Sequence, residues 1–148
     1  MEVKTILWPT DLSENSKKAA KAVVSLAQKY GAEVKLMYVA ADLCQYFPAY
    51  GNHPQPERVT EFLDWELEHA KKKLDTICES ELDGCPMLSV KLVTGDAATE
   101  ILKAVKEEKA DLVVLTRRGH GGAGLEGGFG SVAEKVLKNS PVPVHVVT

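Results

Sequence analysis

Five short apolar, β-rich runs alternate with helical patterns along these 148 residues, and that alternation limits the fold more than any other feature. Val3-Lys4-Thr5-Ile6-Leu7-Trp8 predicts a first strand, stopped by Pro9 and followed by the helix-initiating residues Thr10-Asp11-Leu12-Ser13-Glu14. From Ser13 to Tyr30 the positions Ala19, Ala20, Val23, Val24, Ala27 and Tyr30 recur at helical spacing, and Gly31 stands where a left-handed cap belongs. A second strand is predicted over Glu33–Val39, then a long loop from Ala40 to Pro56. Next comes a helix with Val59, Phe62, Leu63, Leu67, Ala70, Leu74, Ile77 and Cys78 on one face. Leu88–Val93 predicts a third strand, Asp96–Glu108 a helix, Asp111–Leu115 a fourth strand, Ser131–Asn139 a short helix and Pro141–Val147 a last strand.

Strands joined through helices pair in parallel by right-handed crossovers, so the expected fold is an open, doubly wound α/β parallel sheet with helices on both faces. The nearly continuous apolar run Leu112-Val113-Val114-Leu115 fits a strand covered on both sides, whereas Pro141 and Pro143 place the last strand at an edge. The length suits a single domain over residues 1–148. A formal charge of -3 offers no field to gather nucleic acid, and no run is long enough to span a bilayer. The N-terminal apolar run is too short for a secretion signal, which predicts a cytoplasmic protein without a membrane partner. Cys44, Cys78 and Cys85 form no CxxC pair, and the four histidines show no metal-ligand spacing.

In such a sheet, ligands bind beyond the carboxyl ends of the strands where the strand order reverses. The loops to watch therefore follow strands one, two and four. The last of these, from Arg117 to Ser131, holds seven of the eleven glycines. Glycine lets backbone amides approach an anion, and Ser131 opens a helix whose positive end favours phosphate. Arg117 and Arg118 either bond the same anion or face solvent. Asp11 either meets a base, ribose or metal, or caps the first helix with Glu14 as its box partner. His120 lacks a carboxylate or second histidine nearby, so a catalytic role is not indicated. No Gly-Lys pair exists to form a P-loop. GxGxxG does occur within the glycine run, but no acidic residue follows on the next strand, which argues against a nicotinamide site.

Four blocks in order and spacing carry a resemblance: Ile6-Leu7-Trp8-Pro9-Thr10-Asp11-Leu12-Ser13, Gly95-Asp96-Ala97 through Ile101, Ala110-Asp111-Leu112-Val113-Val114-Leu115, and Gly130-Ser131-Val132-Ala133-Glu134-Lys135-Val136 with Pro141-Val142-Pro143-Val144. Together they resemble the universal stress protein family over the whole chain. The resemblance implies a five-stranded sheet of order 3-2-1-4-5, a homodimer made through the C-terminal strand Val142–Val147, and a cytoplasmic stress-response role. Part of that family binds ATP, with or without Mg2+, and part does not.

In the ATP-binding branch the loop reads G-x-x-G, nine residues, then G-[ST], with the phosphates on those amides. By that pattern Gly130, Ser131 and Val132 form the intact second half, and Pro9, Thr10, Asp11 and Val39 match the adenine and ribose side. Arg118, Gly119, His120 and Gly121 occupy the first half but depart from it. Pairing Arg118 with Gly121 leaves eight residues before Gly130, and pairing Gly119 with Gly122 leaves seven. The resemblance thus implies an adenine-nucleotide-binding stress protein; nucleotide hydrolysis, slow at most, would rest on His120 and Asp11 beside the phosphates. The alternative is a dimeric stress protein that binds no nucleotide, has a degraded phosphate loop and acts through protein–protein contacts.

Overall fold

A computed structural model describes residues 2–13, 17–40, 56–80, 82, 87–117 and 130–148. Five strands, β1 (Thr5–Thr10), β2 (Glu33–Ala40), β3 (Met87–Thr94), β4 (Leu112–Thr116) and β5 (Val144–Val147), form one parallel sheet of order β3-β2-β1-β4-β5. The helices between them are α1 (Ala19–Tyr30), α2 (Pro56–Ser80), α3 (Ala97–Glu107) and α4 (Ser131–Asn139). The expected doubly wound fold and its strand order are therefore present.

Alternation along the strands splits the core in two. Ile6, Trp8, Val34, Leu36, Leu112 and Val114 face α1 and α2, where they meet Ala20, Val23, Leu74 and Ile77. Leu7, Met37, Val113 and Leu115 face α3 and α4, against Ile101, Val105, Ala133 and Val136. Leu112–Leu115 are buried on both sides of the sheet, as their unbroken apolar run requires.

Three boundaries differ from expectation. Pro9 does not stop β1; the strand runs on to Thr10, with Pro9 opposite Met37 and Thr10 opposite Tyr38. The reason is directional. The Thr5 carbonyl accepts from Asp111 N on the β4 side and the Lys4 carbonyl from Glu33 N on the β2 side, so odd positions of β1 turn their backbone groups toward β4. Pairing of β1 with β4 is limited to Ile6↔Leu112 and Leu7↔Val113. The N–H that proline lacks would thus point where no ladder remains.

The regular part of α1 begins at Ala19 rather than Ser13, although Lys17 N already donates to the Ser13 carbonyl at 3.2 Å. Its end is as expected: Gly31 is left-handed at φ 62° and its amide returns to the Ala27 carbonyl. The last strand begins at Val144 rather than Pro141, while Pro143 contributes only a carbonyl, which accepts from Val113 N at 3.0 Å. β5 lies at the sheet edge, where its prolines place it.

Candidate functional site

β1 is the point where the sheet order reverses, with β2 built outward on one side and β4 on the other. The β1–β4 ladder ends at Leu7↔Val113, and the carboxyl end of β1 is where a sheet of this order places its ligand crevice. Three stretches border it: the turn after β1, the end of β2 and the start of α4.

The turn after β1 is fixed by its own side chains. Thr10 Oγ1 accepts from Leu12 N at 3.1 Å, and Asp11 Oδ1 accepts from Ser13 N at 2.9 Å. These bonds hold Leu12 at φ 65°, a left-handed conformation that costs a leucine about 1 kcal/mol. Thr10 and Ser13 are buried while Asp11 is half-buried. The Asp11 carboxylate thus organises the turn two residues on, and the box partner Glu14 lies outside the described residues.

At the end of β2, Val39 packs on the α3/α4 side and the Ala40 carbonyl accepts from Gly95 N at 2.9 Å, tying in the loop after β3. On the opposite face, Tyr38 donates its hydroxyl to Glu66 Oε1 at 3.1 Å. Burial pushes this phenol up to about 12, and the charge and hydrogen bond of Glu66 and the charge of Asp11 add to the rise.

At the start of α4, Gly130 is extended (φ -62°, ψ 155°) and carries no side-chain cap. Its carbonyl accepts the first helical bond, from Glu134 N at 2.9 Å. The amides of Ser131, Val132 and Ala133 precede the first helical bond, so the helix itself supplies them no carbonyl, and they lie at its positive end. Ser131 and Val132 are exposed there. The Gly130 amide is different: it donates to the Arg117 carbonyl at 2.8 Å, while Arg117 N donates to the Val147 carbonyl at 2.9 Å. The Gly130 amide, one of those expected to meet a phosphate, is thus engaged within the fold.

The structure brings Pro9, Thr10, Asp11, Val39, Gly130, Ser131 and Val132 to the carboxyl end of the sheet. Arg118, Gly119, His120 and Gly121 lie outside the described residues, as does the rest of the glycine run before Gly130. Because β4 ends at Thr116, a third register of the loop emerges. It pairs Thr116 with Gly119 and leaves the ten residues 120–129 before Gly130, one more than the nine of the pattern. Sequence reasoning passed over this register, and also Tyr38 and Glu66. A polar-tipped aromatic ending an aliphatic strand was a signal for Tyr38; nothing distinguished Glu66 from the other acids of its helix. Among the described residues no cluster of three or more His, Cys, Asp or Glu stands ready for a metal ion. No helix among them is long and apolar enough to cross a membrane.

Comparison with known proteins agrees with this architecture. The chain is 36% identical over 147 residues to a universal stress protein of Methanocaldococcus jannaschii, covering 97% of this chain and 81% of that protein. Its fold matches the solved universal stress protein UspA from Lactobacillus plantarum with a TM-score of 0.85 at 25% identity, over 100% of this chain and 99% of that one. A universal stress protein from Archaeoglobus fulgidus, solved in complex with dAMP, shares the fold at a TM-score of 0.69 and 17% identity, with all of both chains covered. The sequence pattern of the universal stress protein family matches residues 2–148, and the chain belongs to that family.

Proposed function

We propose that this universal stress protein binds an adenine nucleotide, ATP being the occupant that would use the whole crevice. The observation that carries the reading is the end of the β1–β4 ladder at Leu7↔Val113. The turn at Thr10 and Asp11, the end of β2 at Val39 and the first amides of α4 all lie at that end of the sheet. Base and ribose lie on the side of Pro9, Thr10, Asp11 and Val39, and phosphates lie against the start of α4; Arg118, Gly119, His120 and Gly121 are assigned to the phosphates by the family pattern alone. The donor set fits an anion: backbone amides at a helix start supply partial positive charge without a metal. Mg2+ would then accompany the phosphates as their counter-ion. That a protein of this fold is solved in complex with dAMP supports an adenine nucleotide as the ligand.

The same reading makes the protein a cytoplasmic homodimer joined through Val142–Val147, where β5 leaves one side of the sheet open. No nucleophile–base pair stands out among the described residues, so nucleotide hydrolysis is slow at most.

Equilibrium dialysis of the purified protein with labelled ATP, with and without Mg2+, tests the proposal. Saturable binding is expected; no binding up to about 1 mM nucleotide overturns it. One observation favours the second reading, a stress protein that acts through its surface alone: the Gly130 amide is already used by Arg117. Under that reading the wild-type protein binds no ATP and an Arg118→Gly change creates binding.

A further inference from the structure

The long helix α2 is held unevenly. As the crossover from β2 to β3 it begins at the carboxyl ends of the strands and descends toward their amino ends. Its second half is anchored in the core by Ala70, Leu74 and Ile77, each nearly or fully buried. Its leading half is not: among the described side chains from residue 61 to 69, Leu63, Glu66 and Leu67 are half-buried and the others are exposed. The hydrogen bond from Tyr38 Oη to Glu66 Oε1 ties this half to the sheet.

Tyr38 also stands under the base side of the crevice. It lies opposite Thr10 in the β1–β2 register, precedes Val39 in the chain, and its hydroxyl feels the charge of Asp11. Leu12, from the same turn, and Leu92, from β3, pack on the same core face. One phenol therefore adjoins three of the residues assigned to adenine and ribose. A half-buried hydroxyl donating to a half-buried carboxylate is a charge-assisted bond, and removing the donor leaves that carboxylate uncompensated.

We propose that the Tyr38–Glu66 hydrogen bond positions the nucleoside side of the site by holding the leading half of α2 against the end of β2, beside the turn after β1. The proposal rests on the nucleotide-binding reading. Tyr38 acts through Thr10, Asp11 and Val39 and is a positioning residue.

The test compares wild type, Tyr38→Phe and Glu66→Gln, all as full chains. Titration calorimetry is run with adenosine, ATP and inorganic tripolyphosphate, and hydrogen exchange is read along α2. In Tyr38→Phe, adenosine and ATP should bind about 5-fold more weakly with tripolyphosphate unchanged. Amides of residues 61–69 should exchange faster while those of 70–80 keep their protection. Glu66→Gln, which retains an acceptor, should recover most of the adenosine affinity. Unchanged exchange in Tyr38→Phe overturns the latch, and faster exchange with unchanged adenosine affinity overturns its role at the site. Failure of the nucleotide reading is seen separately, as a wild-type protein that binds neither adenosine nor ATP.

Discussion

The two ends of the β1–β4 seam are built in opposite ways. At the amino end the strands are stitched together: Asp111 Oδ2 accepts from Lys4 N and Thr5 N at 2.9 and 3.1 Å, and Asp111 N donates to the Thr5 carbonyl at 2.9 Å. Nearby, Glu108 takes Lys35 at 2.7 Å and Lys91 at 3.0 Å, joining the end of α3 to β2 and β3. Toward the carboxyl end the ladder between the same two strands stops after two pairs, Pro9 offers no donor, and Trp8 Nε1 is the buried side-chain polar atom without a partner among the described residues. One end of the sheet maximises internal bonds; the other leaves backbone groups for something else.

Substitutions at the two ends should therefore differ in what they cost. Asp111→Ala removes a carboxylate that serves two backbone amides. It should lower stability by about 2 kcal/mol in chemical denaturation while leaving nucleotide binding intact; a loss within error would mean that water replaces the carboxylate readily. Glu108→Gln should cost about 1 kcal/mol at neutral pH, a modest figure because its pairs are partly solvated.

Its pH signature is specific. The hydrogen bonds from Lys35 and then Lys91 hold the Glu108 carboxyl below the ordinary glutamate range. A depressed carboxyl adds stability that is present above the unfolded-state value and is lost as pH falls through the folded one. Acid titration of stability should therefore be flatter in Glu108→Gln than in wild type, and parallel curves would refute the coupling. Lys35 and Lys91 are raised by the same bonds, so their share is lost only at strongly alkaline pH.

At the open end the effects should be small or reversed. Trp8→Phe gives up some buried area but removes an unsatisfied donor whose desolvation costs roughly 1–3 kcal/mol. Its stability should lie within about 1 kcal/mol of wild type, and a loss near 3 kcal/mol would show that the indole N–H has a partner such as a trapped water. Smallest of all is Pro9→Ala. Stability should change by about 0.5 kcal/mol, and the new amide should exchange freely because β4 presents no partner there. Protection matching that of the Leu7 amide would close the crevice as drawn.

Much of this contrast could not be seen in the chain. Period and turn chemistry suffice for the alternation of strands and helices, for the left-handed Gly31 and for the edge position of a strand preceded by Pro141 and Pro143, because each depends on neighbours in sequence. Pro9 was misread because a proline interrupts only the ladder its nitrogen faces, and facing is a property of the assembled sheet. The Lys35–Glu108 and Tyr38–Glu66 bonds join residues 73 and 28 positions apart, a separation that no local pattern reports. The start of α4 was legible from Gly130-Ser131 as a helix start, but the use of the Gly130 amide by Arg117 emerges only when β4 and β5 lie side by side.

Leu12 shows what the turn after β1 achieves before any ligand arrives. Its side chain is seated against the α1/α2 core while its backbone is kept left-handed by Thr10 and Asp11. The entropy of ordering this segment is therefore lost during folding and not during association. A partner entering the crevice meets a rim already in one shape, so its affinity can respond to small changes in fit, and dissociation need not wait for the turn to unfold.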